Sequence, residues 1–180
     1  MILHLVRHPP VLKAWQKRCY GQSDPSLSRE GNAMVRPLVD QLIALKPDVI
    51  VYSDLERTRV IAEPVAKQLG LHCVADALWR ERGFGDWEGQ TWNAIYRATG
   101  NAMDGMIGDP EHFRPGGGET TLELIARIKR ALARLPEAPR IVVVAHGGPI
   151  ACAKVIMGDL PIASLAANIP ALGETVTFIR

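Results

Sequence analysis

The 180-residue chain reads as an α/β protein, a three-layer sandwich with a mostly parallel central sheet and helices on both faces. Three observations predict this. Short runs of β-branched and apolar residues alternate with longer stretches of helical periodicity, the pattern of strands joined by crossover helices. The strongest runs are continuously apolar rather than alternating, as strands covered on both faces require. No repeat, low-complexity tract or linker interrupts the chain, so residues 1–180 are expected to form one domain around one core.

The elements follow in order. Ile2-Leu3-His4-Leu5-Val6 is the first strand. Residues 31–45 carry a helical stripe of Met34, Val35, Leu38, Val39, Leu42 and Ile43, with Ser28 placed to cap its start and Pro37 expected to bend it or shift its boundary. Asp48-Val49-Ile50-Val51-Tyr52 is the second strong strand. Residues 57–69 place Ile61, Val65 and Leu69 four apart, with Pro64 weakening the pattern and Gly70 a plausible stop. A weaker strand is expected at residues 71–74. Thr120-Thr121-Leu122-Glu123 is a capping box that opens a helix over residues 120–135, with Ile125, Ile128, Leu132 and Leu135 on one side. Residues 140–145 form the strongest strand, residues 150–157 a short apolar helix, and residues 174–179 a weaker closing strand.

Composition narrows the function. Hydrophobic residues at 47 % and charged residues at 22 % suit a globular protein and argue against disorder. A net charge of +2 is too small to make nucleic acid or an anionic membrane the main partner. Met1-Ile2-Leu3-His4-Leu5-Val6-Arg7-His8 reaches charge too soon for a signal peptide or a membrane span. Cys19, Cys73 and Cys152 are scattered and odd in number, against a disulfide framework or a Cys-based zinc site. These features together predict a cytoplasmic protein.

Three strong strands run directly into polar segments: Arg7-His8-Pro9, Ser53-Asp54-Leu55-Glu56-Arg57, and His146-Gly147-Gly148. In open parallel sheets, ligands bind at the carboxyl ends of the strands. Two arginines and two histidines therefore meet at one rim, which makes an anion site. A phosphate monoester carries roughly −1.5 to −2 charge near neutrality. Guanidinium forks on Arg7 and Arg57 match its oxygens and can stabilise the charge that builds on them during transfer. The peptide groups of Gly147 and Gly148, opening the next helix, add donors and a favourable dipole. A neutral imidazole can attack phosphorus, while a second histidine serves as a further clamp. The leaving oxygen then needs a proton. Glu81, in Glu81-Arg82-Gly83-Phe84-Gly85-Asp86-Trp87-Glu88-Gly89, is the first candidate to supply it, and Glu88 is the rival.

With these segments in place, the chain resembles the histidine phosphatase superfamily, the phosphoglycerate-mutase-like proteins. Leu5-Val6-Arg7-His8, Ser53-Asp54-Leu55-Glu56-Arg57-Thr58-Arg59, Leu78-Trp79-Arg80-Glu81-Arg82-Gly83-Phe84-Gly85-Asp86-Trp87-Glu88-Gly89 and Val143-Val144-Ala145-His146-Gly147-Gly148 stand in the family's order. Pro115-Gly116-Gly117-Gly118-Glu119-Thr120 looks like its Gly-Glu-Ser/Thr segment. The resemblance implies that His8 is the nucleophile, that Arg7, Arg57 and His146 hold the phosphoryl group, that Glu81 is the proton donor, and that no metal or organic cofactor is needed. One departure is Pro9, which stands where the family usually has glycine and lacks an N–H to offer phosphate. The Gly-Glu-Thr that usually follows the nucleophile in mutase-type members is absent too, with the substrate contacts it makes there. Cys19-Tyr20-Gly21-Gln22-Ser23-Asp24 followed by Leu27-Ser28 looks most like α-ribazole phosphatase-type members, which act late in cobalamin assembly.

The expected function is thus a metal-independent phosphomonoesterase working through phosphohistidine on a small-molecule phosphate ester, with α-ribazole 5′-phosphate a candidate. The alternatives are a phosphoglycerate mutase-type phosphotransferase, a phosphohistidine-protein phosphatase, and a non-catalytic phospho-ligand binder. Other notable residues have plainer readings. His4 is expected in the core, His72 and His112 at the surface, Arg59 as a solvated charge, Trp87 as packing beneath the site, and residues 116–118 as a flexible turn. Trp15, Arg18 and Tyr20 either line the entrance or cover the core.

Overall fold

Apolar runs that bury their backbone must pair its N–H and C=O groups, and five segments do so in a single sheet. In the computed structural model, which describes residues 1–179, these are β1 (Ile2–Arg7), β2 (Val49–Tyr52), β3 (Cys73–Ala75), β4 (Arg140–Ala145) and β5 (Thr175–Ile179). Their order is β3-β2-β4-β1-β5. All neighbours are parallel except β5, which runs antiparallel to β1 at one edge. Around the sheet lie α1 (Arg29–Ala44), α2 (Glu56–Leu69), α3 (Trp92–Thr99), α4 (Gly105–Gly108), α5 (Thr121–Ala133) and α6 (Gly147–Met157). No helix among the described residues is long and apolar enough to cross a membrane.

The strand period of two sorts side chains into two layers. Leu3, Leu5, Val51, Ile141, Val143 and Ala145 pack with Ile125 and Ile128 of α5 and Ile150 of α6. Val6, Ile50, Tyr52, Val142 and Val144 pack with Leu38 and Leu42 of α1 and with Ile61 and Val65 of α2. This is the expected three-layer α/β arrangement. Burying each large aliphatic side chain stabilises by about 1.5–3 kcal/mol. The register also levels the strand ends, because Val144 pairs with Val6 on one side and Tyr52 on the other. Residues that follow β1, β2 and β4 therefore emerge at one rim.

Helix ends follow their caps. Ser28 Oγ accepts the Gly31 N–H at 2.9 Å, and α1 begins at Arg29, two residues earlier than the apolar stripe. Thr120 and Glu123 complete both halves of the capping box, at 3.1 and 3.0 Å. Gly70 ends α2 in the left-handed region, φ +66°. Neither proline moves a helix boundary. Pro37 and Ala33, the residue whose carbonyl loses its helical partner, both lie on the exposed side of α1, so the lost bond falls outside the core.

Other expectations shift. α6 starts at Gly147, three residues before the predicted 150, since two glycines of poor helix propensity mask a turn that the packing of Ile150 and Ala151 enforces. β3 occupies Cys73–Ala75 rather than residues 71–74. Helices α3 and α4, of eight and four residues, are too short for their periodicity to announce them. α3 belongs to a satellite cluster in which Cys19, Trp87 and Ile95 pack with Phe84, Trp92, Met103 and Phe113. The glycine-rich segment at 116–118 is a docked turn rather than a free one, tied down by the Glu119 N–H donating to the Gly83 carbonyl at 2.8 Å.

Candidate active site

The level strand ends bring Arg7, His8, Arg57, His146 and Gly147 together, and the loop after β3 adds Glu81. His8 follows the last residue of β1 and is only 1 % exposed. Its Nδ1 lies 2.7 Å from the Pro9 carbonyl oxygen. A carbonyl only accepts, so Nδ1 carries the proton and Nε2 keeps a lone pair. Burial, then the positive charge of Arg57, drives the His8 pKa down to about 3, with the Pro9 carbonyl opposing and Arg7 adding to the fall. His8 is neutral at pH 7.

His146 follows β4 and caps α6; its ring centroid lies 5.1 Å from that of His8. It is wholly buried. Burial lowers its pKa well below the ordinary histidine value, and Arg57, His8 and Arg7 push the same way. Its Nε2 meets Ser53 Oγ at 2.9 Å, and its Nδ1 accepts from Arg57 Nε at 3.3 Å. Ser53 follows β2 directly, so the hydroxyl that orients this histidine comes from the neighbouring strand end.

Arg57, in the first turn of α2, is also wholly buried. It donates to the carbonyls of Ser23 and Gly21, each at 2.7 Å, and lies over the Tyr20 ring at 5.2 Å. It therefore fixes the 20–24 loop as well as facing the histidines. Arg7 donates from Nη1 to the Pro170 carbonyl at 2.6 Å, but its Nε is buried with no hydrogen-bond partner. An unpaired buried donor of a charged group is costly, and a bound anion would satisfy it.

The two glycines make room for charge. A Cβ on Gly147 would stand 3.2 Å from Arg7 Cζ, and one on Gly148 only 2.3 Å from Glu81 Oε1. The Gly148 N–H lies 3.2 Å from both Glu81 carboxylate oxygens. Glu81 thus occupies the amino end of α6, a favourable place for negative charge. The Gly148 amide, expected to serve phosphate, is engaged by Glu81 instead.

Glu88 is occupied elsewhere. Its carboxylate accepts from the backbone of Gln22, Ser23 and Phe84 and from Ser23 Oγ, at 2.8–3.1 Å. These bonds pin two loops together, and Glu88 does not line the cavity that Arg7, Tyr20, Glu81, Gly147 and Gly148 line. His8, Arg57 and His146 are buried beside that wall.

Sequence reasoning missed several supports. Arg127 of α5 donates to the carbonyls of Leu78 and Arg80 at 2.7 and 2.8 Å and to that of Glu81 at 3.2 Å, holding the backbone that carries Glu81. Glu119 in turn grips Arg127 through two bonds of 2.7 Å. The Gly-Glu-Thr segment ahead of α5 was the available signal. Tyr20 and Arg18 line the cavity. Trp87 sits in the satellite cluster and does not line it. His4 is buried against Thr177 Oγ1 at 2.9 Å, and His112 is exposed beside Asp109.

A sheet of this topology with paired histidines and arginines at one rim defines a phosphoryl-handling class, and comparison with known proteins gives the family. Residues 3–172 match the model of the histidine phosphatase superfamily (branch 1), and the chain belongs to that family as a phosphatase- or mutase-like member. It is 32 % identical over 183 residues to glucosyl-3-phosphoglycerate phosphatase of Mycobacterium tuberculosis, covering 95 % of this chain and 79 % of that one. It is 30 % identical over 162 residues to the probable phosphoglycerate mutase GpmB of Escherichia fergusonii, covering 88 % and 75 %. The structure of a mycobacterial glucosyl-3-phosphoglycerate phosphatase complexed with VO3 superposes with a TM-score of 0.86 at 28 % identity, over 98 % of this chain and 90 % of that one. The α-ribazole phosphatase of Shigella flexneri shares the fold, with a TM-score of 0.86 at 23 % identity and coverage of 98 % and 89 %.

Proposed function

We propose that the protein is a metal-independent phosphomonoesterase that works through a phosphohistidine on His8. One observation carries this reading: the Pro9 carbonyl holds Nδ1–H of a neutral His8, leaving Nε2 as a nucleophilic lone pair beside Arg7, Arg57 and His146. In the first step Nε2 forms a bond to phosphorus while the bond to the leaving oxygen breaks. Arg7, with its unpaired Nε, stabilises the phosphoryl oxygens together with Arg57 and His146. Glu81, entering as the acid, gives its proton to the leaving alkoxide. In the second step the Glu81 carboxylate takes a proton from water, the oxygen attacks phosphorus, and the N–P bond breaks to return neutral His8 and orthophosphate. Gly147 contributes space for Arg7 and the first turn of α6.

Among the described residues no group of three His, Cys, Asp or Glu side chains is placed to hold a metal ion. Each step above uses protein side chains and water alone. The substrate is proposed to be a small phosphate ester of the cytoplasm. α-Ribazole 5′-phosphate, suggested by residues 19–28, and glucosyl-3-phosphoglycerate, named for a relative, are the first two to compare. Hydrolysis of p-nitrophenyl phosphate in EDTA tests the reading: the native chain is expected to turn over and His8→Ala to lose on the order of 10³-fold or more, the scale for a lost covalent nucleophile, whereas equal rates would overturn it.

A further inference from the structure

Beyond the phosphoryl locus the cavity continues, about 700 Å³ in all, within the roughly 300–1,000 Å³ that holds small-molecule ligands. Its outer wall is formed by Val11, Phe84, Trp92, Met106 and Ile107, contributed by separate segments of the chain, while Ile169 stands beside Gly147. Phe84 and Trp92 meet edge to face, with centroids 5.8 Å apart. Ile107 and Ile169 are among the most exposed large apolar side chains of the protein, and both open onto this cavity. Apolar surface left in water on one concave wall is surface that a ligand can cover.

The wall also carries charged groups. Arg18 donates to the carbonyls of Ala14 and Gly89 at 2.9 and 2.7 Å. Arg82 donates to Thr121 Oγ1 at 2.9 Å, and its Nη1 is buried with no hydrogen-bond partner. Glu30 and Glu81 also line the cavity. The wall therefore offers cations as well as carboxylates, and what distinguishes its outer part is apolar carbon.

Resting on the phosphatase reading above, we infer that the preferred substrates are phosphate monoesters of alcohols bearing a ring-containing apolar body, and that the wall from Phe84 to Ile107 selects them over esters of small polar alcohols. The phosphoryl group sits at Arg7 and the ring lies against Trp92, Phe84 and Ile107. This assigns specificity to residues outside the phosphoryl pocket.

The test compares kcat/KM for four esters of primary alcohols, so that the leaving oxygen is of one kind: 3-phenylpropyl phosphate, propyl phosphate, glycerol 3-phosphate and 3-phosphoglycerate. The phenylpropyl ester is expected to exceed the propyl ester at least tenfold and to be the best of the four. Ile107→Asn is expected to narrow the phenylpropyl-to-propyl ratio at least threefold, and a ratio is insensitive to partial loss of folded enzyme. Similar kcat/KM for all four, an unchanged ratio in the variant, or 3-phosphoglycerate as the best substrate overturns the inference while leaving the phosphatase reading intact. Absence of turnover with all four, and of any phosphoenzyme, overturns both.

Discussion

The Nδ1 of His8 lies 2.7 Å from the carbonyl oxygen of Pro9. The group that orients the proposed nucleophile is thus a carbonyl, which proline retains, and not the N–H, which it lacks. Pro9→Ala is expected to keep kcat/KM for p-nitrophenyl phosphate within about threefold of the native value, and to lower stability by about 0.4–1 kcal/mol through a freer unfolded chain. Steady-state kinetics with urea unfolding separates the two effects. A tenfold loss of kcat/KM with unchanged stability would show that the proline ring itself sets the geometry.

Burial of the two histidines makes stability depend on pH. His8 is held down to about 3 in the native protein, against 6.5 for an unhindered histidine, and His146 is lowered in the same direction. Below pH 6.5 the unfolded chain takes up protons that the native side chains refuse, so stability is full above that pH and falls as the pH drops towards 3. At about 1.4 kcal/mol per unit, His8 removes about 2 kcal/mol between pH 6.5 and 5, and His146 adds to the loss. Urea midpoints at pH 7 and pH 5 are expected to differ less in His8→Gln than in the native chain. An identical pH dependence in the two would contradict the neutral, buried His8.

Glu81 and Glu88 are distinguished by leaving group. Glu81→Gln is expected to reduce kcat on alkyl phosphates by about 10²–10⁴-fold, the range for a lost general acid. On p-nitrophenyl phosphate, whose phenolate leaves without a proton, the first step should suffer much less, visible as a retained burst of nitrophenol. Glu88→Gln is expected to lower stability through the 22–23 loop and to affect both esters alike. A leaving-group-dependent loss in Glu88→Gln instead would transfer the role.

The Arg127–Glu119 pair supports Glu81 from beneath. Its side chains are 11 % and 17 % exposed, and removing one partner of a largely buried pair costs about 3–5 kcal/mol. Arg127→Met is expected to lose about that much in urea unfolding. Among the molecules that remain folded, the kinetic loss is expected to fall more on alkyl than on p-nitrophenyl phosphate. Equal loss on the two esters would mean that Arg127 supports the fold without positioning Glu81.

What the sequence made legible follows from the physics of each element. β1, β2 and β4 are readable because strands buried on both faces need unbroken apolar runs. Arg7, His8, Arg57 and His146 are readable because those strands end abruptly in charge. Ser28, Gly70 and Thr120 are readable because caps are local. The residues that orient the site are not. Ser53 and Arg127 act through contacts 93 residues and 46–49 residues away in sequence, and a serine or an arginine on a helix carries no local mark of such a partner. α3 escapes notice because it spans only eight residues, about two turns, so the stripe of Trp92, Ile95 and Tyr96 is too short to stand out. Engagement of the Gly148 amide by Glu81 depends on how a loop folds back onto a helix end, which periodicity does not encode.

Everything proposed for the chemistry turns on a covalent bond between His8 Nε2 and phosphorus, and rapid acid-free quenching of the native protein with a ³²P-labelled ester detects that bond. Label is expected on the protein, lost in acid and stable in base as a phosphoramidate is, located at His8 and absent from His8→Ala. Turnover without any labelled protein, or label on His146 in its place, would contradict it.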